Sequence, residues 1–330
     1  MAATIHDVAK LAGVNSSTVS RVLNGKATIT GETKEKIYAA MKRLDYHPNS
    51  VARSLASGLS GAIGVVVDAQ DAEAFSNVFF SRSLFAIEQV AQARGYNVII
   101  TNGGKQAARA IETLMLERKV DSLILPPSTI KPSLLAKIGD FPYVVLGQPD
   151  SAKLSASWVD NNNEQGAELA VQHLLGKGYQ GIAYLGGNQG ADFVKRRVKG
   201  YQSALPRGAE PLVLPTDGTP EDAQRAAAAA LQTKAPPGAF VCNDNLAAFG
   251  LLKAAKALGI AVPRELGVVT FDNYPLAEYT DPPLTAVDID TALLGEQTAQ
   301  LLFQRLERKT ANQQILLETA LIPRESSDRM

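Results

Sequence analysis

The chain has 330 residues, of which 45% are hydrophobic and 20% are charged, and its formal net charge at pH 7 is zero. This composition excludes a broadly disordered chain, and the length predicts about two domains. No apolar run reaches the length of about 18 residues that a membrane-spanning helix needs. The single cysteine, Cys242, excludes an intrachain disulfide and a cysteine-based zinc site. The first residues lack the pattern of a secretory signal, so we expect a cytoplasmic protein.

The neutral total conceals an uneven distribution of charge along the chain. Residues 1–60 contain eight basic and four acidic residues, a charge of +4, which leaves 25 basic and 29 acidic residues, a charge of −4, on residues 61–330. A basic segment of this kind is typical of nucleic-acid binding. The stretch Ser-Gly-Leu-Ser-Gly at 57–61 indicates a flexible linker between the basic segment and the remainder.

The first 46 residues predict three short helices. Thr4 and Asp7 match a capping box that begins the first helix, and Gly13 marks a turn before the second. Two short helices joined by a glycine-containing turn, with a third packed across them, are typical of the helix-turn-helix. The second helix would then present its polar residues to base edges in the major groove, although an ordinary polar helix surface fits them too. These residues are Ser16, Ser17, Thr18, Ser20 and Arg21.

Three stretches of this segment form a longer pattern. They are Thr-Ile-His-Asp-Val-Ala-Lys-Leu-Ala-Gly-Val at 4–14, Ser-Thr-Val-Ser-Arg-Val-Leu-Asn at 17–24, and Tyr-His-Pro-Asn at 46–49 with Ala-Arg-Ser-Leu at 52–55. This pattern resembles the DNA-binding headpiece of the lactose-repressor (LacI/GalR) family. The resemblance implies a homodimer that binds a pseudo-palindromic double-stranded DNA operator, with Thr4 and Asn24 also on the DNA-binding surface.

The segment 47–60 is predicted to be a hinge helix and linker. It offers about two turns of helix, and a helix that short is unstable alone in water. The resemblance implies that Leu55 enters the minor groove at the operator centre, where an apolar wedge kinks the duplex. Asn49, Ala52 and Arg53 would lie beside it as further DNA contacts. An ordinary linker with one exposed leucine is the alternative.

Beyond residue 61, short apolar runs alternate with helical stretches. The runs are rich in Val, Ile and Leu without alternation, which is typical of a parallel sheet covered on both faces and predicts an α/β fold. The predicted strands are 63–67, 97–101, 122–125, 143–146, 182–185, 211–214, 239–242, 267–271 and 285–289. Nine strands are more than a single sheet of ordinary size contains, so we expect more than one sheet.

The resemblance implies how these strands are divided. The expected fold is an all-α helix-turn-helix headpiece (1–46), joined through the hinge to an α/β two-lobed core that resembles periplasmic binding proteins (61–330). Lobe one would contain about 61–160 plus 289–320, and lobe two about 161–288. The core would bind the effector and form the dimer, with no leucine heptad tail to build a tetramer.

Polar and aromatic side chains follow several of the predicted strands. Ligands of such sheets lie at the carboxyl ends of the strands, where amides and charged groups suit sugar hydroxyls and rings suit sugar faces. The resemblance favours Arg197, Asn243 and Asp272 as ligand contacts, and also Asp160. Turn formation is the alternative role for Asp and Asn at strand ends. The complete set of candidates is Phe75, Asp160, Phe193, Arg197, Asn243 and Asp272.

No catalytic motif, cofactor motif or metal-ligand cluster stands out, so we expect neither an enzyme nor a cofactor. The resemblance implies a repressor of a carbohydrate-utilisation operon, controlled by a small sugar or phosphosugar bound between the lobes. One alternative is a repressor of the same fold that responds to a purine or nucleoside. A solute-binding protein of a transporter and an α/β enzyme with a DNA-binding appendage are further alternatives, disfavoured by the basic headpiece and the missing catalytic residues.

Overall fold

The computed structural model describes residues 3–23, 29–47, 58–67, 78–150, 156–188, 190–307 and 311–329. The chain divides into two compact units, Met1–Gly61 and Ala62–Met330, which we call the headpiece and the core. The helices of the headpiece are α1 (Ile5–Ala12), α2 (Ser16–Leu23) and α3 (Gly31–Arg43).

A small apolar cluster holds the three headpiece helices together. Its fully buried members come in pairs from the three helices: Val8 and Ala9, Val19 and Val22, and Ile37 and Ala40. Helix α1 ends at Gly13, whose φ of +70° lies in the left-handed region that glycine adopts without strain. The chain can therefore turn sharply and begin α2 three residues later, which gives the two-helix turn that the sequence predicts.

The core is built on two sheets, each with six strands in the described part of the chain. The strands of the first sheet are β1 (Ala62–Val67), β2 (Asn97–Asn102), β3 (Ser122–Leu125), β4 (Tyr143–Leu146), β5 (Trp158–Asn161) and β11 (Gln314–Leu317). The strands of the second sheet are β6 (Ile182–Leu185), β7 (Leu212–Leu214), β8 (Ala239–Cys242), β9 (Gly267–Phe271), β10 (Thr285–Asp288) and β12 (Ala320–Ile322). We call the two halves lobe one and lobe two.

Strand order in the first sheet is β11-β5-β4-β3-β1-β2, and in the second sheet it is β12-β10-β9-β8-β6-β7. The described strand pairs are parallel except for β10 with β12, which is antiparallel. The helices of the core are α4 (Val78–Ala93), α5 (Ala107–Leu116), α6 (Pro132–Ile138), α7 (Asn163–Gly176), α8 (Asp192–Ala204), α9 (Pro220–Leu231), α10 (Asn245–Leu258) and α11 (Thr291–Leu306). Each lobe is thus a mainly parallel sheet between helices, so both faces of the central strands are buried.

The core chain passes from lobe to lobe at three places in its described part. It leaves the first sheet after β5, returns after β10 to place α11 against lobe one, and after β11 enters the second sheet as β12. These connections lie beside the carboxyl ends of β5 and β10. Polar residues at those ends are therefore brought to the boundary between the lobes.

All nine strands predicted from the sequence are present, and three more accompany them. Strand β5 was missed because half of its four residues, Asp160 and Asn161, are polar, although all four are buried. Strands β11 and β12 are short and partly exposed, at the edges of their sheets. An apolar run therefore finds strands wherever they lie in the sheet and misses those that are partly polar or very short.

Candidate DNA-binding face and ligand crevice

Helix α2 separates its apolar residues from its polar ones. Val19 and Val22 are buried in the headpiece core, whereas Ser17 and Arg21, four positions apart and therefore on one face, are exposed. The other predicted recognition residues, Ser16, Thr18 and Ser20, are half-buried. The helix therefore presents a hydroxyl and a guanidinium side by side, groups that can donate to base edges or phosphates.

Thr4 is exposed, and its side chain takes part in the capping box that the sequence predicts. The Thr4 hydroxyl donates to the Asp7 carboxylate at 2.7 Å, and the Thr4 backbone N–H donates to the same carboxylate at 2.9 Å. These hydrogen bonds hold the pKa of the Asp7 carboxyl below its usual value. Thr4 thus fixes the start of α1, which orients the helix pair.

Several predicted site residues cannot be placed. The predicted DNA contacts Asn24, Asn49, Ala52, Arg53 and Leu55, and the predicted ligand contact Phe75, lie outside the described residues. The remaining candidates are the six headpiece residues above and five residues of the core.

Arg197 lies at the centre of a polar cluster in lobe two. Its Nε donates to Asn163 Oδ1 at 2.9 Å, and its Nη1 donates to the backbone carbonyl oxygen of Asn243. Its Nη2 lies 3.7 Å from Asp272 Oδ1, within ion-pair distance. Helix α8 and the carboxyl ends of β8 and β9 therefore bring Arg197, Asn243 and Asp272 together, as the sequence predicts.

Aromatic rings enclose the Arg197 guanidinium. Its central carbon lies 3.9 Å from the centroid of the Phe271 ring and 5.0 Å from that of Phe193. Phe271 is buried, whereas 43% of Phe193 is exposed at the start of α8. These cation–π contacts hold the guanidinium in place, and Phe193 offers an accessible ring face to an apolar surface of a ligand.

Asn243 is fixed by neighbours on both sides of its amide. The Tyr184 hydroxyl donates to Asn243 Oδ1 at 2.8 Å, and Asn243 Nδ2 donates to Asp244 Oδ2 at 2.8 Å. Asp244 also caps α10, since its Oδ1 accepts from the backbone N–H of Ala247. The side chain of Asn243 is therefore part of a preorganised network.

Asp272 combines a buried carboxylate with a rare backbone conformation. Its φ is +72°, in the left-handed region, and only 8% of the residue is exposed. Burial raises the pKa of its carboxyl to about 6, against the opposing effect of Arg197. Asp adopts this conformation in turns more readily than most residues, so the backbone fits a turn, while the burial of its ionisable group favours a functional role.

Asp160 reaches the same region from lobe one, and its carboxylate already accepts hydrogen bonds from the backbone. It accepts from the backbone N–H groups of Gln148 at 2.9 Å and of Asn161 at 2.8 Å. Burial raises the pKa of the Asp160 carboxyl, and these hydrogen bonds partly offset the effect. Its contacts therefore hold the loop after β4 in place.

The loop after β4 also contacts helix α8 of lobe two. Arg196 Nε donates to Gln148 Oε1 at 2.7 Å, and Arg196 Nη2 donates to the Pro149 carbonyl oxygen at 3.1 Å. Lys195 Nζ lies 3.0 Å from Asp150 Oδ2. These contacts join the lobes beside the polar cluster, so the cluster lies at the boundary between them, which we call the crevice.

The structure adds polar residues that sequence reasoning missed. Asn161 Oδ1, Asn245 Oδ1, Asp272 Oδ1 and Tyr274 Oη are buried without a hydrogen-bond partner among the described residues. The three missed residues come one or two positions after the candidates Asp160, Asn243 and Asp272. Scanning two residues past each of these candidates would have found them. Unpaired buried polar atoms cost free energy, which a bound polar ligand can recover.

Among the described residues, no group of three or more His, Cys, Asp or Glu side chains could hold a metal ion. A search of the same residues for helices long and apolar enough to cross a membrane also finds none.

Comparison with known proteins identifies both units. The profile of bacterial regulatory proteins of the lacI family matches residues 4–49, and that of a periplasmic binding protein-like domain matches residues 171–327. The HTH-type transcriptional repressor PurR of Vibrio atlanticus (strain LGP32) is 31% identical over 317 residues, 93% of each chain. The ribose operon repressor of Halalkalibacterium halodurans is 32% identical over 328 residues, 98% of this chain and 97% of the relative.

Solved structures agree with the sequence relatives. The lac repressor dimer bound to operator and the anti-inducer ONPF is 27% identical, with a TM-score of 0.85 over 99% of each chain. The transcriptional regulator CelR in complex with cellobiose is 29% identical, with a TM-score of 0.74 over 98% of this chain and 99% of that one. The predicted fold class, a helix-turn-helix headpiece with a two-lobed core, is confirmed. The chain belongs to the lacI family of bacterial regulatory proteins and is a regulatory protein rather than an enzyme.

Proposed function

We propose that the protein is a sequence-specific DNA-binding repressor of a carbohydrate-utilisation operon. A small sugar, free or phosphorylated, binds between the two lobes of the core and changes the affinity for operator DNA. The observation that carries this proposal is the cluster of Arg197, Asn243 and Asp272, where buried polar atoms remain unpaired at the ends of parallel strands. The ribose operon repressor and the cellobiose complex of CelR support a sugar as the ligand class.

The parts of the chain divide this work. Residues 1–46 bind the major groove, residues 47–60 form the hinge, and residues 61–330 bind the effector and form the homodimer. Two headpieces bind the half-sites of a pseudo-palindromic operator, because the symmetry of the dimer matches that of the DNA. Effector and operator affinities are linked, so a ligand that weakens DNA binding is itself bound more weakly by the DNA complex. The protein acts in the cytoplasm, at the nucleoid when bound to DNA.

The residues of the two sites follow from this division. The groove contacts come from α2 and its neighbours: Thr4, Ser16, Ser17, Thr18, Ser20, Arg21 and Asn24. The hinge contacts are Asn49, Ala52, Arg53 and Leu55. The effector contacts are Phe75, Asp160, Phe193, Arg197, Asn243 and Asp272. Asp160 acts mainly by holding the loop after β4.

A purine or nucleoside is the second candidate effector. The HTH-type repressor PurR of Vibrio atlanticus is as similar to this chain as the sugar-related repressors are. A thermal-shift screen with ribose, cellobiose and hypoxanthine separates the two, since a specific ligand raises the melting temperature. A shift with hypoxanthine and with neither sugar would favour the purine response.

DNA binding is tested with purified full-length protein and a two-fold-symmetric duplex selected from a randomised library. We expect retardation of that duplex at salt concentrations where a scrambled duplex stays free. Leu55→Ala should lose specific affinity and keep much of the non-specific binding, which depends on phosphate contacts. Unchanged specific affinity in this variant would contradict the hinge role.

The crevice is tested with Asp272→Ala in the same assay. This variant should keep operator binding and lose the response to the ligand found in the screen. The matched control is Glu210→Ala, in an exposed loop of lobe two. An Asp272→Ala protein that responds to ligand as the control does would show that the effector binds elsewhere.

A further inference from the structure

The cations of the crevice are already satisfied by protein groups. Arg197 contacts Asn163, the Asn243 carbonyl and the Asp272 carboxylate. Arg196 donates to Gln148 and to the carbonyl oxygen of Pro149. Lys195 pairs with Asp150 at 3.0 Å and Asp192 at 3.2 Å. A ligand anion would therefore have to displace an acceptor that the protein itself supplies.

The buried side-chain atoms that lack a hydrogen bond are, in contrast to these cations, mostly acceptors. Asn161 and Asn245 are 2% and 6% exposed, and each keeps its side-chain oxygen without a hydrogen-bond donor among the described residues. Asp272 is 8% exposed, and its Oδ1 accepts no hydrogen bond among these residues, although it lies in the longer ion pair with Arg197. The orientation of the Asn245 amide is fixed, because its Nδ2 donates to the Asp272 carbonyl oxygen at 2.7 Å. The Tyr274 hydroxyl, which can donate or accept, lies close enough to the Asp272 carboxyl to oppose the rise of its pKa. Most of the unmet demand is thus for hydrogen-bond donors.

We infer that the crevice selects an uncharged, hydroxyl-rich ligand, a free sugar, and rejects the phosphorylated form of the same sugar. Sugar hydroxyls supply the donors that the three oxygens lack. A phosphate monoester at pH 7 carries a charge of about −1.5 to −2 and adds only strong acceptors. The Asp272 carboxylate is already buried in this region, and burying a second anion beside it is costly. This inference rests on the proposed sugar response and narrows it.

Arg82 is the cation that a phosphate could still reach. It is exposed on α4 of lobe one, and its guanidinium carbon lies 6.0 Å from the centroid of the Tyr274 ring. Its exposed position places it on the solvent side of Tyr274. A phosphorylated sugar whose phosphate binds Arg82 would therefore contradict the inference.

The test is isothermal titration calorimetry of the full-length protein with matched pairs of ligands. The pairs are ribose with ribose 5-phosphate, glucose with glucose 6-phosphate, and cellobiose with its 6-phosphate. We expect one free sugar to bind and its phosphate to bind at least about 100-fold more weakly. Inorganic phosphate, with ionic strength held constant, should not compete with that sugar.

A phosphorylated sugar that binds as tightly as the free one overturns the inference and leaves the proposed sugar response standing. If no sugar of either kind binds, the proposed sugar response fails and the inference fails with it. The two failures are therefore distinguishable in one set of titrations.

Two variants locate the cause of the selectivity. Asp272→Asn keeps the size of the side chain and removes its charge, so the ratio of the two affinities should shrink by about tenfold. Arg82→Gln is the matched control and should leave both the free-sugar affinity and the ratio within about twofold. If Arg82→Gln instead weakens the binding of the phosphorylated sugar by tenfold or more, a phosphate site exists at Arg82 and the inference is wrong. The wild-type titrations decide the question even if Asp272→Asn does not fold.

Discussion

The headpiece and the core place their candidate functional side chains in opposite ways. In the headpiece, Ser17 and Arg21 are exposed on α2, and the Thr4 hydroxyl bonds to a residue three positions away. In the core, Arg197 is buried and bonds to Asn163 and Asn243, 34 and 46 positions away. A substitution on the headpiece surface should therefore change DNA binding with little effect on folding. A substitution in the crevice should change both ligand binding and the stability of the core.

The largest expected effect is that of Arg197→Ala. Removing the guanidinium leaves the Asp272 carboxylate buried without its partner, so the core should lose about 3–5 kcal/mol of unfolding free energy. The control is Lys199→Ala on the same helix, where a 71% exposed side chain pairs with Glu164 and where we expect a loss below about 1 kcal/mol. Urea denaturation of both proteins measures the difference. Equal losses of unfolding free energy in the two variants would show that burial does not make the Arg197 contacts more stabilising than the exposed Lys199 pair.

Substitution of Arg324 tests whether the C-terminal segment stabilises the loop of residues 272–279, which contains Asp272. Its guanidinium donates to Asn273 Oδ1 at 2.7 Å, to Glu278 Oε1 at 2.8 Å and to the Leu284 carbonyl oxygen at 2.8 Å. Arg324→Ala should cost about 2–3 kcal/mol and should raise hydrogen exchange in residues 272–279.

The control for Arg324 is Lys177→Met, which removes the exposed ion pair between Lys177 and Asp328 in the same C-terminal segment. This variant should leave exchange in residues 272–279 unchanged. If both variants loosen that loop equally, the segment acts as a whole and Arg324 has no special part in positioning Asp272.

The pH dependence of stability tests the buried state of Asp272. Its pKa is about 6 in the folded protein and near the ordinary value of 3.8 when unfolded, so the folded state binds more protons between these values. Lowering the pH from 7.5 to 5 should therefore stabilise the wild type relative to Asp272→Asn, by about 1–1.5 kcal/mol. The measurement is urea denaturation of both proteins at the two pH values. If the difference in unfolding free energy between the wild type and Asp272→Asn does not change with pH, the Asp272 carboxyl has an ordinary pKa.

The smallest effect is expected in the headpiece. Thr4→Ala removes one half of the capping box of α1 and should cost about 1 kcal/mol of local stability. Faster hydrogen exchange in residues 5–12, with unchanged exchange in the core, would report it. Lys36→Ala, which breaks an exposed i,i+4 pair with Glu32 on α3, should cost only about 0.2–0.5 kcal/mol. A loss of core stability in Thr4→Ala would contradict the separation of the two units.

The crevice shows where sequence reasoning succeeds and where it stops. Asp272 was found because it directly follows an apolar strand, and its neighbour Tyr274 was missed because it lies three positions beyond the end of that strand. The contact of Asp160 with a ligand stays a prediction, and the structure adds that its carboxylate binds the backbone of Gln148 and Asn161. Strand ends identify the polar residues that reach the boundary between the lobes, but not the partners they meet there.

The sequence by itself determined the headpiece helices, their cap and turn, the central strands and the charge difference between the two units. These features depend on neighbours within a few positions, where helical spacing, capping and apolar runs act directly. Only the tertiary structure decided that Arg197 lies between two rings and beside Asp272, and that three acceptor oxygens remain unpaired. Those contacts join residues from several strands and helices, and their energies depend on burial, which no local pattern records.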